Sequence, residues 1–194
     1  MDFLFVGTCR GGTAYVCEVL KSLGLRAGHE KIFTRGGVNR DMWNEYDADV
    51  SWLAVPHLHE VKDLEVVRVV RNPMDVVNSI LRLGLDREAG FWNFVNEATG
   101  RWRKWERAED RVAQYYLDWH ERISERAWDY IRVEDGGEPI ACMAGRWADT
   151  LYDNRKCNHK NGVGREMGEL AGELRGQLCS FMDAHGYELK GEGK

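Results

Sequence analysis

The chain has 194 residues and carries 27 Lys and Arg against 32 Asp and Glu, a net charge of −5. At ~150 residues per domain this is one compact unit, and 43% hydrophobic with 30% charged residues supports a packed core and excludes wholesale disorder. The negative balance argues against a non-specific nucleic-acid coat protein, although a local basic pocket needs only a few cations.

Phe3-Leu4-Phe5-Val6 reads as a buried strand, stopped by Gly7 and too short for a signal peptide or a membrane span. Val16, Cys17, Leu20 and Leu23 then recur at helical spacing, with Gly24 as the stop. Strand, glycine loop and helix open a βαβ unit. Ser51 to Val55 is a strand candidate, and Val66, Val67, Val69 and Val70 form another, closed by Arg71. A helix is expected at once after it, with Asn72 as N-cap and Pro73 at the first helical position, ended by Gly84. Phe91, Val95, Ala98, Trp102 and Trp105 keep a helical stripe, as do Val112, Tyr116, Trp119 and Ile123. Tyr130 to Val133 reads as a strand. Ile140, Met143, Ala144 and Trp147, and then Met167 to Phe181 ahead of Gly186, read as helices. Strands alternating with helices predict a single α/β domain over 1–194, with a central parallel sheet flanked by helices in three layers.

The loop Gly7-Thr8-Cys9-Arg10-Gly11-Gly12-Thr13-Ala14 has two glycines at P-loop spacing before a helix, where backbone amides favour an anion. A Walker loop would continue with Lys and then Ser or Thr. Thr13 and Ala14 stand there instead, and the cation is Arg10, inside the loop. Moving a γ-phosphoryl group needs a metal to neutralise several oxygens. A sulfuryl group carries less charge, so this loop reads as a P-loop-like oxyanion cradle that works without a metal.

Arg10-Gly11-Gly12-Thr13 resembles the Lys/Arg-Ser-Gly-Thr loop of the sulfotransferases that use 3′-phosphoadenosine-5′-phosphosulfate (PAPS). Arg71-Asn72-Pro73-Met74-Asp75, followed by Ser79, is similar to their second signature, Arg-x-Pro-x-Asp and then Ser. The resemblance implies that the loop over 7–15 holds the 5′-phosphosulfate through Arg10, Gly11, Gly12, Thr13 and Ala14, and that Arg71 and Ser79, in the motif over 71–79, hold the 3′-phosphate. Tyr15 stands where cytosolic members have a Trp beside the adenine, so it either stacks on the base or packs in the core. Tyr130-Ile131-Arg132-Val133-Glu134-Asp135 is similar to a strand ending in Glu-Asp in the same family. The chain departs from the pattern at Gly11, where members have Ser, and at Ala14, where many have Thr.

Sulfuryl transfer to a hydroxyl or amine needs a proton acceptor near the nucleophile. Gly28-His29-Glu30 resembles the segment that supplies a Glu base in the bacterial and tyrosylprotein branches. His57, after Val55-Pro56, resembles the base of cytosolic members. Glu30 is favoured, with His57 as runner-up or supporting partner; each also reads as an ordinary loop or capping residue. The expected activity is metal-independent sulfuryl transfer from PAPS, releasing adenosine 3′,5′-bisphosphate, to a small-molecule, carbohydrate or peptide acceptor. No nucleic-acid or membrane partner is expected. Alternatives are a P-loop kinase or a non-catalytic nucleotide-binding module. Residues 86–127 are expected to form a helical acceptor or lid region. The basic loop Asn154 to Arg165, with Arg155, Lys156, Lys160 and Arg165, is a candidate cover or a plain surface loop. Five scattered cysteines suit reduced thiols and a cytoplasmic setting. His57-Leu58-His59 and Cys157-Asn158-His159 lack further ligands at zinc spacing, so no metal site is expected.

Overall fold

Phe3–Val6 (β1) is buried along its whole length, because it is the middle strand of a five-stranded parallel sheet. The computed structural model describes residues 1–101, 105–145 and 170–187. The other strands are Ala27–His29 (β2), Ala48–Val50 (β5), Glu65–Val70 (β6) and Asp129–Arg132 (β7), in the order β2-β5-β1-β6-β7. All neighbours in the sheet run parallel, with Phe3 opposite Glu65 and Ala48. A short antiparallel hairpin, Phe33–Thr34 (β3) with Gly37–Val38 (β4), stands apart from this sheet.

Both faces of the sheet are covered, which is why its central strands read as continuous apolar runs. Leu4, Val6 and Val66 point into one core with Val76, Val77 and Ile80 of α2 (Pro73–Arg82), Phe91 of α3 (Ala89–Thr99), Trp119 of α4 (Ala108–Ser124) and Leu178 of α6 (Gly172–Ala184). Phe3, Phe5, Val67 and Val69 point into the other, against Val16 and Leu20 of α1 (Thr13–Ser22) and Ile140 of α5 (Glu138–Gly145). The result is a single α/β domain with helices on both faces of a parallel sheet. Among the described residues no helix is long and apolar enough to cross a membrane.

Three elements differ from expectation: the last helix, expected from Met167, begins at Gly172, with Ala171 as its extended N-cap. The strand expected over Ser51–Val55 lies earlier, at Ala48–Val50. The Ser51 hydroxyl accepts the Leu53 amide at 3.1 Å, turning the chain into a 3-10 segment over Val55–Glu60. The stripe from Phe91 to Trp105 is not one helix: α3 stops at Thr99, followed by Gly100 at φ 64°. Thr99 Oγ1 turns back onto Val95 O at 2.9 Å instead of continuing the stripe. The positions Trp102, Trp147 and Met167, and the basic loop with Arg155, Lys156, Lys160 and Arg165, lie outside the described residues.

The crossovers fix where a site belongs. From β1 the chain passes through α1 to β2 on one side of the sheet, whereas from β6 it runs through α2 to β7 on the other. The carboxyl ends of the adjacent strands β1 and β6 therefore flank a topological switch point, the crevice where open α/β sheets bind ligands.

Candidate functional site

The glycine loop leaves β1 at this switch point. A β-turn closes it, with the Gly11 amide donating to Thr8 O at 2.9 Å. A Cβ on Gly11 would come within 2.5 Å of Thr8 Oγ1 and 2.8 Å of Thr8 O, which gives the physical reason for glycine where the resembling family has Ser. Gly12 has φ 91°, and a Cβ there would meet Val133 Cγ2 at 2.5 Å, so the loop packs directly on the end of β7. Gly12 is also the N-cap of α1 and brings no side-chain acceptor to the first-turn amides. Arg10 is exposed and held at φ 65°.

The second motif meets this loop from β6. Arg71 Nη1 donates to Arg10 O at 3.1 Å, and Arg10 Nε donates to Ser79 Oγ at 3.1 Å. Arg10, Arg71 and Ser79 are thus brought together from two strand ends and the second turn of α2. Asn72 caps α2 as expected, its Oδ1 accepting the Met74 amide at 2.9 Å. Its own amide donates to Glu134 Oε1 at 2.8 Å, and Glu134 is held in turn by the Tyr187 hydroxyl at 2.8 Å. Among the described residues neither Arg10 nor Arg71 forms an ion pair. Both arginine side chains lie at this junction beside a helix N-terminus with no side-chain cap, and the Glu134 carboxylate is taken up by the neighbouring amide and Tyr187. Such a place favours an oxyanion.

Two neighbouring tyrosines of α4 hold the two loops in register. The Tyr115 hydroxyl accepts the Cys9 amide at 2.8 Å, and the Tyr116 hydroxyl donates to Arg71 O at 2.6 Å. Both are buried, and burial raises both phenol pKa values well above their ordinary value. Burial also pushes the Cys9 thiol up to about 12, outweighing the nearby Arg10, so Cys9 is a neutral thiol at neutral pH.

Glu30 follows β2 at φ 55°, in the left-handed region. Asp49 fixes this corner: fully buried in β5, its Oδ1 accepts the Lys31 amide, while its Oδ2 has no hydrogen-bond partner among the described residues. The Lys31 bond measures 3.2 Å. Burial, opposed by the nearby backbone amides of residues 31–33, raises Asp49 to about 6. His29 Nε2 lies 3.1 Å from Thr13 Oγ1, at the first helical position of α1, and 3.6 Å from Glu30 Oε1. His29 therefore links the glycine loop to Glu30. His57 has other partners: its Nδ1 sits 2.8 Å from Glu60 Oε1, and its ring centroid is 6.3 Å from that of Phe33. Tyr15 is half-buried and packs against the core between the sheet, α1 and α5, while Ala14 is exposed.

Sequence reasoning missed Tyr115, Tyr116 as a loop anchor, and Asp49. Their signals were a Tyr pair on an apolar helix face and one acid inside the strand Ala48-Asp49-Val50. No family model matches this chain, and no curated protein matches it as a relative.

Proposed function

We propose that this protein is a sulfotransferase, using PAPS to sulfate a hydroxyl or amine without a metal, on a P-loop-like variant of the three-layer fold. The observation that carries this reading is the meeting of Arg10, Arg71 and Ser79 at the switch point, with no carboxylate paired to either arginine among the described residues. On this reading the glycine-loop amides and Arg10 bind the 5′-phosphosulfate, and Arg71 with Ser79 binds the 3′-phosphate. Bound PAPS supplies an activated sulfuryl group, whose S–O bond to the 5′-phosphate breaks as the acceptor oxygen or nitrogen bonds to sulfur. Glu30 takes the acceptor proton, with His29 holding its carboxylate, and Arg10 meets the charge that develops on the departing phosphate. A metal-dependent phosphoryl transfer is less well served, because the Thr13 hydroxyl is engaged by His29 and Ala14 has none.

Thermal unfolding separates the readings. Adenosine 3′,5′-bisphosphate at about 100 times its dissociation constant is expected to stabilise the fold by ~2.7 kcal/mol, and ADP with Mg²⁺ to do much less. The reverse order would favour a kinase. Bisphosphate binding with no sulfated product over a broad acceptor panel would reduce the protein to a nucleotide-binding module. In the active enzyme, Glu30→Gln is expected to lower turnover ~10²–10⁴-fold with bisphosphate affinity retained. Full turnover in that variant would transfer the base role to His57.

A further inference from the structure

His185, the C-cap of α6, is buried where the end of that helix meets β6 and β7. Its Nδ1 lies 2.7 Å from Phe181 O, and its Nε2 lies 2.6 Å from Arg68 Nη2. A carbonyl only accepts and a guanidinium only donates, so both bonds fit a single form of the ring, neutral with its proton on Nδ1. A proton on Nε2 would set donor against donor and cation against cation.

No carboxylate faces the ring among the described residues to offset that charge. From β6 it meets Arg68, which makes no ion pair among them. From β7 it meets the Tyr130 ring, 5.0 Å away between centroids, and Arg132, whose Nη1 donates to His185 O at 3.0 Å. Phe181 of α6 stacks on it at 4.1 Å, and His120 of α4 lies 5.0 Å from the same Phe181 ring. His120 is buried with neither ring nitrogen hydrogen-bonded, and Tyr116 lies 4.4 Å from it with its hydroxyl committed to Arg71 O. The carboxylates of this region are engaged elsewhere: Asp135 pairs with Arg132 at 2.6 Å, and Glu134 accepts from the Asn72 amide and the Tyr187 hydroxyl. Burial, with the Arg68 charge added to it, holds both imidazoles below their ordinary pKa.

We propose that this end of α6 is an acid-released latch. Protonation of His185 frees it from Arg68 and lifts Tyr187 off Glu134, the carboxylate that holds the Asn72 amide beside Arg71. Acidity thereby loosens the second motif from outside the site. The latch stands on its own residues and does not depend on which ligand the glycine loop takes.

The closed latch excludes a proton that the open one takes up at the ordinary imidazole value of about 6.5. Its stability is therefore complete above that pH and is lost as pH falls below it. Amide exchange and imidazole titration by NMR on the full chain test the proposal. The His185 ring is expected as the Nδ1–H tautomer at about pH 7.5. Between about pH 7.5 and 5.5 the Gly186, Tyr187 and Asn72 amides, corrected for intrinsic exchange, are expected to lose protection about tenfold. The β1 amides are expected to stay better protected than these throughout. His185→Gln, whose Oε1 can still accept from Arg68, is expected to remove most of that loss. Constant protection over this range, latch amides that open only together with β1, or the full loss in a folded His185→Gln would each overturn the proposal. So would an Asn72 amide that stays protected while Tyr187 opens. Where the variant does not fold, the wild-type ring decides: an Nε2–H tautomer, or titration at the ordinary value with the amides still protected, overturns it.

Discussion

Arg10 and Glu30 are the two non-glycine residues at positive φ among the described residues, and both stand at carboxyl ends of sheet strands. A side chain in this region costs of order 1–2 kcal/mol against glycine, and such strain gathers where function requires the side chain. Arg10→Gly is therefore expected to leave the urea midpoint unchanged or raise it, while bisphosphate affinity falls about tenfold or more; a lower midpoint with unchanged affinity would make Arg10 a structural residue. Gly12→Ala is the opposite case. At φ 91° with Val133 in the way, it is expected to lower stability by roughly 1–3 kcal/mol in urea unfolding. Asp49 sets a pH dependence. Its native pKa of about 6 lies above the ordinary 3.8, so the folded state holds the extra proton, and this group's contribution to stability falls as pH rises between those values. Asp49→Asn keeps one acceptor oxygen and removes the buried charge. Its stability relative to wild type is expected to improve from pH 4 to pH 7, by roughly 1–3 kcal/mol; a difference that does not move with pH would contradict this.

At the scale of elements, α4 acts as a brace: adjacent tyrosines grip the glycine loop at Cys9 and the second motif at Arg71. Tyr115→Phe leaves the Cys9 amide without its acceptor, and Tyr116→Phe frees the Arg71 carbonyl. Each is expected to lower stability by about 1 kcal/mol and to weaken bisphosphate binding several-fold without touching the ligand. Calorimetry and urea unfolding on each variant check this, and a stability loss with unchanged affinity would confine the brace to folding. The elements nearest the site were the most legible in sequence. β1 is a buried apolar run stopped by glycine, and α2 begins with Asn-Pro, whose cap the structure contains. Elements set by distant contacts were not legible. β2 is Ala-Gly-His, with no strand pattern of its own, and exists because β5 pairs with it. β5 was misplaced because Ser51-Trp52-Leu53 is as apolar as a strand, and only the Ser51 hydroxyl bond to Leu53 shows that the chain turns there. Trp105 continued a helical stripe on paper, whereas Gly100 ends the helix before it.

For the whole molecule, the strand order brings the two motifs together. Sixty-one positions separate Arg10 from Arg71, yet pairing of β1 with β6 brings the Arg71 guanidinium to the Arg10 carbonyl. The motifs themselves were readable, but their adjacency was only an expectation until the topology was known. Spacing could not reveal that Tyr115, Tyr116 and Glu134, from later in the chain, would close around them. His57 illustrates the converse: expected after a strand, it lies inside the 3-10 segment Val55–Glu60, where Glu60 engages its ring. The central claim is that Arg71 reads the 3′-phosphate of a doubly phosphorylated adenosine. Calorimetric titration of wild type and Arg71→Ala with adenosine 3′,5′-bisphosphate and with adenosine 5′-monophosphate tests it most directly. Wild type is expected to prefer the bisphosphate by ~1.5–3 kcal/mol, and Arg71→Ala to bind both nucleotides alike. An Arg71→Ala protein that keeps the full preference, or a wild type that has none, would contradict it.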